Sequence, residues 1–188
     1  IRNKIFMRDV LIVSDTHGRI QRLNELIEYR QRLLKSGEVL NLIFLGDGLN
    51  DLFSCRQYDN IIVHAVRGNC DALDRFSPYG EEIPLYRTVN IGGLKIFMAH
   101  GHTLSVKSTR EELYREASRL GADVALFGHT HAPALEYIEK GSVRGVDRDI
   151  TVFNPGSLGD FDGSFGNLSV SDSGFLLSHG KYSNILKK

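Results

Sequence analysis

The chain has 188 residues, 23 Lys plus Arg against 23 Asp plus Glu, and two cysteines. That length suits one domain, large enough to bury roughly 70% of its unfolded-chain surface without covalent staples. Balanced charge gives no field to steer the chain to nucleic acid or an anionic membrane, no apolar run is long enough to span a bilayer, and Cys55 and Cys70 are too few for a disulfide framework. This cysteine usage suits a reducing cytoplasm, which is the expected location. The start does not resemble a secretory signal, and residues 1–6, ahead of Met7, read as an extension on a single domain over 1–188.

In chain order, Val10-Leu-Ile-Val13 is an apolar run of strand length leading into Ser14-Asp15-Thr16-His17-Gly18. The spacing of Ile20, Leu23, Leu26, Ile27, Leu33 and Leu34 predicts a helix over 19–36, stopped by Gly37. Its basic residues form a solvated face, with Arg19 and Arg22 close to the preceding loop. Leu42-Ile-Phe-Leu45 leads into Gly46-Asp47-Gly48, and residues 50–58 read as a short helix or loop. A third run, Ile61 to Val66, leads into Arg67-Gly68-Asn69-Cys70-Asp71. Residues 74–82, with Pro78 and Gly80, read as irregular surface. Residues 83–90 and 94–99 flank Gly92-Gly93 as a hairpin that runs into His100-Gly101-His102.

Ser108 and Thr109 offer a hydroxyl cap, and Glu111 and Glu112 the acidic first turn, for a second helix that Gly121 closes after Leu120. A strand over 123–127 then enters Gly128-His129-Thr130-His131. Short β segments follow at 134–138, 142–146 and 150–153, then the polar turn Asn154-Pro-Gly-Ser157 and two last strands at 166–170 and 174–178. There is no internal repeat, linker or low-complexity stretch. The pattern describes one α/β domain, β-rich in its second half, with two packed sheets.

Five apolar runs each end in an oxygen or nitrogen donor beside a glycine. Strands buried on both faces read as continuous apolar runs, and open α/β sheets bind ligands beyond the carboxyl ends of their strands. Adjacent glycines let the backbone turn sharply there. One such segment is a strand and a turn; five together point to a shared site.

These motifs, in this order, resemble the calcineurin-like metallophosphoesterase superfamily, and Gly68-Asn69-Cys70-Asp71 with the small size is similar to its YfcE-type phosphodiesterases. The resemblance covers nearly the whole chain. It implies two packed mixed β-sheets flanked by helices, a metallophosphoesterase-type sandwich. It implies that Asp15, His17 and His131 hold one metal ion, that Asn69, His100 and His129 hold a second, and that Asp47 bridges them. A donor set of nitrogen and oxygen favours two divalent ions, Mn foremost, with Fe, Zn, Ni or Mg as alternatives. The implied activity is hydrolysis of a small phosphodiester by a metal-bridging hydroxide, with Asn69, Cys70, Asp71 and His102 as the catalytic residues. No nucleic-acid or membrane partner is implied, and the oligomeric state stays open. His64, mid-strand, reads as a core or partly buried histidine and His179 as a surface one.

Two departures from the family stand out. Many members carry His at the position of Cys70, and a thiol, with an ordinary pKa near 8.5, cannot serve as an imidazolium. Relatives also carry a basic residue after the Asn-Pro-Gly-Ser turn, where this chain has Asp160 and Asp162. A second function class shares the fold: a non-catalytic interaction scaffold like the retromer subunit Vps29. The intact Asp15-x-His17 motif separates the two and favours the enzyme.

Overall fold

The computed structural model describes residues 8–55 and 60–186; the expected extension over 1–6 and most of the last part of segment 50–58 lie outside them. Strands β1 (Arg8–Val13), β2 (Leu40–Phe44) and β3 (Ile61–Ala65) pair in parallel. Antiparallel β9 (Ser164–Ser171) and β10 (Gly174–Lys181) extend this sheet to the order β10-β9-β1-β2-β3. The second sheet has the order β4-β5-β6-β8-β7. In it, β5 (Leu94–Ala99), β6 (Val124–Leu126) and β8 (Ile150–Asn154) run parallel. Antiparallel β4 (Tyr86–Ile91) and β7 (Ala134–Ile138) close its edges.

Alternation along the strands explains the layering. Val10 and Ile12 of β1 face a central layer that also takes Ile43, Ile96, Met98, Val124, Leu126 and Phe153. Leu11 and Val13 face the other way, onto Leu23, Leu26 and Ile27 of helix α1 (Ile20–Leu33). In the second sheet Phe97, Ala125 and Val152 face outward onto Leu113 and Ala117 of helix α3 (Glu111–Arg119). The two packed mixed sheets flanked by helices are thus as expected. No helix among the described residues is long and apolar enough to cross a membrane.

Several boundaries differ from expectation. The stretch 142–146 is a closed turn between β7 and β8, not a strand. Gly141 and Gly145 take left-handed φ of 78° and 87°, and the Gly141 N–H donates to the Val146 carbonyl, which drops Val146 into the α3 layer. Helix α1 stops at Leu33, because Lys35 and Glu38 form a turn in which Glu38 Oε2 accepts the Lys35 N–H. β4 starts at Tyr86: the Ile83 N–H donates to Arg75 O and Pro84 O accepts the Arg67 N–H, so these groups hold loops instead. Arg110, not a hydroxyl residue, precedes α3, and Thr109 Oγ1 reaches only the Glu111 N–H, at 3.4 Å. Helix α2 (Leu49–Ser54) fills the short element after Asp47, and a final helix, α4 (Tyr182–Ile185), lays Tyr182 and Ile185 on the α1 layer.

His64 is half-buried, its pKa lowered by burial and then by Arg87. His179 is exposed, yet its ring stacks on Phe153 with centroids 4.4 Å apart and its Nε2–H donates to Asn154 O at 2.7 Å, tying β10 to the end of β8.

If the central layer is the main source of stability, Leu126→Ala should cost about 2–5 kcal/mol in urea unfolding. Leu135→Ala, at a position 53% exposed on β7, should stay within about 0.5 kcal/mol. Equal losses would refute that assignment.

Candidate metal centre

The parallel strands β1, β2 and β3 deliver Asp15, His17, Asp47 and Asn69 to one edge of the first sheet, and β5 and β6 deliver His100, His129 and His131 to the matching edge of the second. Backbone bonds stitch the loops together: Asp15 N–H to Gly46 O, His17 N–H to Asp47 O, Gly128 N–H to His100 O and Gly159 N–H to Asp15 O. Asp15, His17, Asp47, His129 and His131 all sit at left-handed φ, between 44° and 63°. Asp and His are among the non-glycine residues that tolerate this region, at a cost of roughly 1–2 kcal/mol each. Two glycines are obligatory for close approach. A Cβ at Gly68 would lie 2.1 Å from Asp47 Oδ1, and one at Gly128 would lie 2.0 Å from Ser14 Oγ.

Two donor sets emerge. Asp15, His17 and His131 offer atoms within 4.8 Å of one another, as do Asp47, His100 and His129. Asp47 Oδ2 lies 3.3 Å from His100 Nε2 and 4.0 Å from His17 Nε2, between the sets. Asp15 Oδ1 lies 3.2 Å from His131 Nε2 and 3.9 Å from His100 Nε2. His100 Nδ1–H donates to Leu45 O at 2.7 Å, which fixes the tautomer and turns Nε2 to the site.

Asp15 Oδ1 and His100 Nε2 are buried without a hydrogen-bond partner among the described residues. Buried polar atoms are rarely left so, and carboxylate and imidazole atoms converging on shared points fit divalent ions of the Mn, Fe and Zn kind. The charge pattern agrees. Burial raises the Asp15 pKa, against the pull of His100 and Ser14. Burial also opposes ionisation of Asp47, but the neighbouring His100 and the Cys70 N–H outweigh it and hold this carboxyl well below the usual range. His100 is raised, because Asp47 and Asp15 overcome its burial. His129 falls to about 4, through burial and then the charges of His100 and Lys107.

The remaining expected site residues divide. Asn69 is exposed and its Nδ2 reaches Cys70 Sγ at 3.3 Å. Cys70 Sγ joins His17 and Asp47 in a third cluster, where burial and Asp47 push the thiol up to about 11. The His102 ring lies 5.5 Å from His100 and 6.1 Å from His129, its Nδ1 buried and its pKa lowered by burial and by His100. Asp71, expected among the catalytic residues, is buried and held by backbone. Its carboxylate accepts the N–H groups of Asp47, Gly48, Leu49 and Gly68, all at 2.7–2.9 Å, so both oxygens are engaged by backbone.

Several working residues escaped the sequence reading. Buried Asp51 accepts Thr16 Oγ1 at 2.5 Å and the Gly18 N–H at 2.8 Å, holding the loop that carries His17. Ser14 Oγ donates to Asp15 Oδ2. Asn154, expected only as part of a polar turn, bonds Gly128 O and Thr130 Oγ1 and so braces the His129–His131 loop. Arg22 does not face the donors; its Nη1 binds Leu158 O and Asp160 O. Asp162 pairs with Lys181, while Lys107 and Arg67 bring positive charge towards His129 and His102 from other loops. An acidic residue in the first turn of α2 was the available sign for Asp51.

The profile of the calcineurin-like phosphoesterase superfamily domain matches residues 7–182. Probable metallophosphoesterase YsnB of Bacillus subtilis is 31% identical over 151 residues, 80% of this chain and 75% of that protein. Phosphodiesterase MJ0936 of Methanocaldococcus jannaschii is 29% identical over 156 residues, 77% and 81% of the two. Among solved structures, Yfce, a phosphoesterase from E. coli, superposes with a TM-score of 0.54 at 25% identity, covering 85% of this chain and 87% of that one. Vacuolar Protein Sorting 29 from Cryptosporidium parvum shares the fold, with a TM-score of 0.62 at 20% identity over 94% and 98%. Donor sets at matching sheet edges and a family profile spanning nearly the whole chain lead to one assignment: this chain belongs to the calcineurin-like phosphoesterase superfamily.

Proposed function

We propose that this phosphoesterase hydrolyses small phosphodiesters at a dinuclear metal centre. The observation that carries the reading is the position of Asp47 between the two donor sets, with Oδ2 facing His100 on one side and His17 on the other. Asp15, His17 and His131 would hold the first ion; His100, His129 and the Asn69 amide oxygen would hold the second, with Asp47 shared. Manganese is the first candidate, with Fe, Zn, Ni and Mg behind it, because the donors of both sets are nitrogen and oxygen. Ions bound there would polarise a phosphoryl oxygen, acidify a water and support an in-line displacement. Asp71 keeps Asp47 in place rather than meeting substrate.

The preference for diesters rests on proton supply. A thiol titrating at about 11 is a weak donor, and neighbouring His102 has a lowered pKa, so neither gives an easy proton to a poor leaving group. Activated diesters need none. The relative named as a phosphodiesterase points the same way. The scaffold alternative has the Vps29 fold likeness behind it, but the carboxylate and histidine donors of both sets are present here and convergent, which supports the enzyme reading.

After reconstitution with Mn²⁺, the protein should hold up to two ions per chain and lose turnover on chelation; less than one ion per chain by metal analysis would end the two-metal reading. Asp47→Asn should abolish turnover with an unchanged circular dichroism spectrum, while His64→Ala keeps most activity. Comparable losses would mean the site is misplaced. Cys70→His should shift preference towards monoesters, since general-acid help is typically worth about 10²–10⁴-fold. The measurement is kcat/KM over phenyl phosphates and diesters of graded leaving-group pKa. Equal slopes in parent and variant would show that Cys70 does not decide substrate class.

A further inference from the structure

We infer that Asp160 is a positioning residue for His131, so that the loop after the Asn154-Pro-Gly-Ser157 turn serves the metal centre rather than the substrate. The inference rests on the metal reading above. His131 ends its loop at a left-handed φ of 59°, with a side chain 35% exposed. His100 has a backbone carbonyl to fix its Nδ1; the partner of His131 Nδ1 among the described residues is Asp160 Oδ1, at 3.1 Å. On the other side of the ring, Nε2 lies 3.2 Å from Asp15 Oδ1 and 3.2 Å from His17 Nε2. An Nδ1–H donated to Asp160 leaves the Nε2 lone pair directed at the other two donors of the set. A histidine ligand whose second nitrogen is held by a carboxylate is both oriented and made a better donor.

The loop is built to hold that carboxylate still. The Asp160 N–H donates to Ser157 Oγ at 3.1 Å, and the same hydroxyl donates to Asp15 O at 2.9 Å. The Asp160 carbonyl accepts from Gly163 N–H at 3.0 Å and from Arg22 Nη1 at 2.5 Å. Asp160 is therefore referenced through one serine to Asp15 and through its own side chain to His131, two donors of one set. Asp162, two residues on, is engaged by Lys181 instead. The acids that replace the family's basic residue thus have separate tasks, and Asp160 stabilises the first donor set.

The test is Mn²⁺ affinity, read as free Mn²⁺ by electron paramagnetic resonance in metal-free protein carrying His129→Ala, which isolates the first set. Asp160→Ala should weaken binding by about 10–100-fold. Asp160→Asn, whose amide oxygen still accepts the Nδ1–H, should recover most of it. Asp162→Ala removes the same charge from the same loop and should bind as the parent does, and all the metal-free proteins should melt together. Asp160→Ala binding as tightly as the parent, or Asp162→Ala weakening it equally, would overturn the inference while leaving the metal reading intact. A parent that binds no Mn²⁺ would overturn both.

Discussion

The centre depends on the carboxylate of Asp71. Parallel strands end in loops whose backbone N–H groups have no ladder partner, and two such loops, after β2 and β3, must meet for Asp47 to stand between the donor sets. Asp71 accepts from Asp47, Gly48 and Leu49 on one loop and from Gly68 on the other, which satisfies those donors and joins the loops in one contact. Asp51 does the same on a smaller scale for the loop after β1, through Thr16 and Gly18. Four buried aspartates thus divide the labour: Asp71 and Asp51 hold backbone N–H groups, while Asp15 and Asp47 belong to the two donor sets.

That division is not legible in the sequence. The strand-end donors were legible because continuous apolar runs followed by a glycine and a polar residue have one economical explanation, and the structure gathers Asp15, His17, Asp47, His100, His129 and His131 as that pattern implies. Asp71 reads in sequence only as an acid beside the strand-end donors; its hold on four backbone N–H groups appears only in the structure. Residues 142–146 misled for a related reason: Ser, Val and Gly mixtures fit a short strand and a glycine turn equally, and the left-handed Gly145 decides. Asp160 was visible only as an acid where a base was expected. Its meaning needed the third dimension, since His131 lies in a distant part of the chain.

The donors also carry conformational cost. Five of them hold left-handed backbone, a region that side chains enter only when surroundings over-determine it. The surroundings here are the interlocked loop bonds, the Asn154 brace and the close approaches at Gly68 and Gly128. Strain of this kind is pre-organisation: the rings and carboxylates converge because their backbones have been denied the relaxed alternative.

The candidate donors come from two sheets, Asp15, His17 and Asp47 from one and His100, His129 and His131 from the other. The gap across the centre is therefore set by the thickness of the hydrophobic layer between those sheets, by the size of Ile12, Met98, Leu126 and Phe153. Close-packed interiors transmit a change of even one methylene. Each candidate set draws on both sheets, Asp15 and His17 with His131, and Asp47 with His100 and His129, so the thickness of that interior governs how closely the donors of a set converge. A catalogue confined to the loops would miss that control.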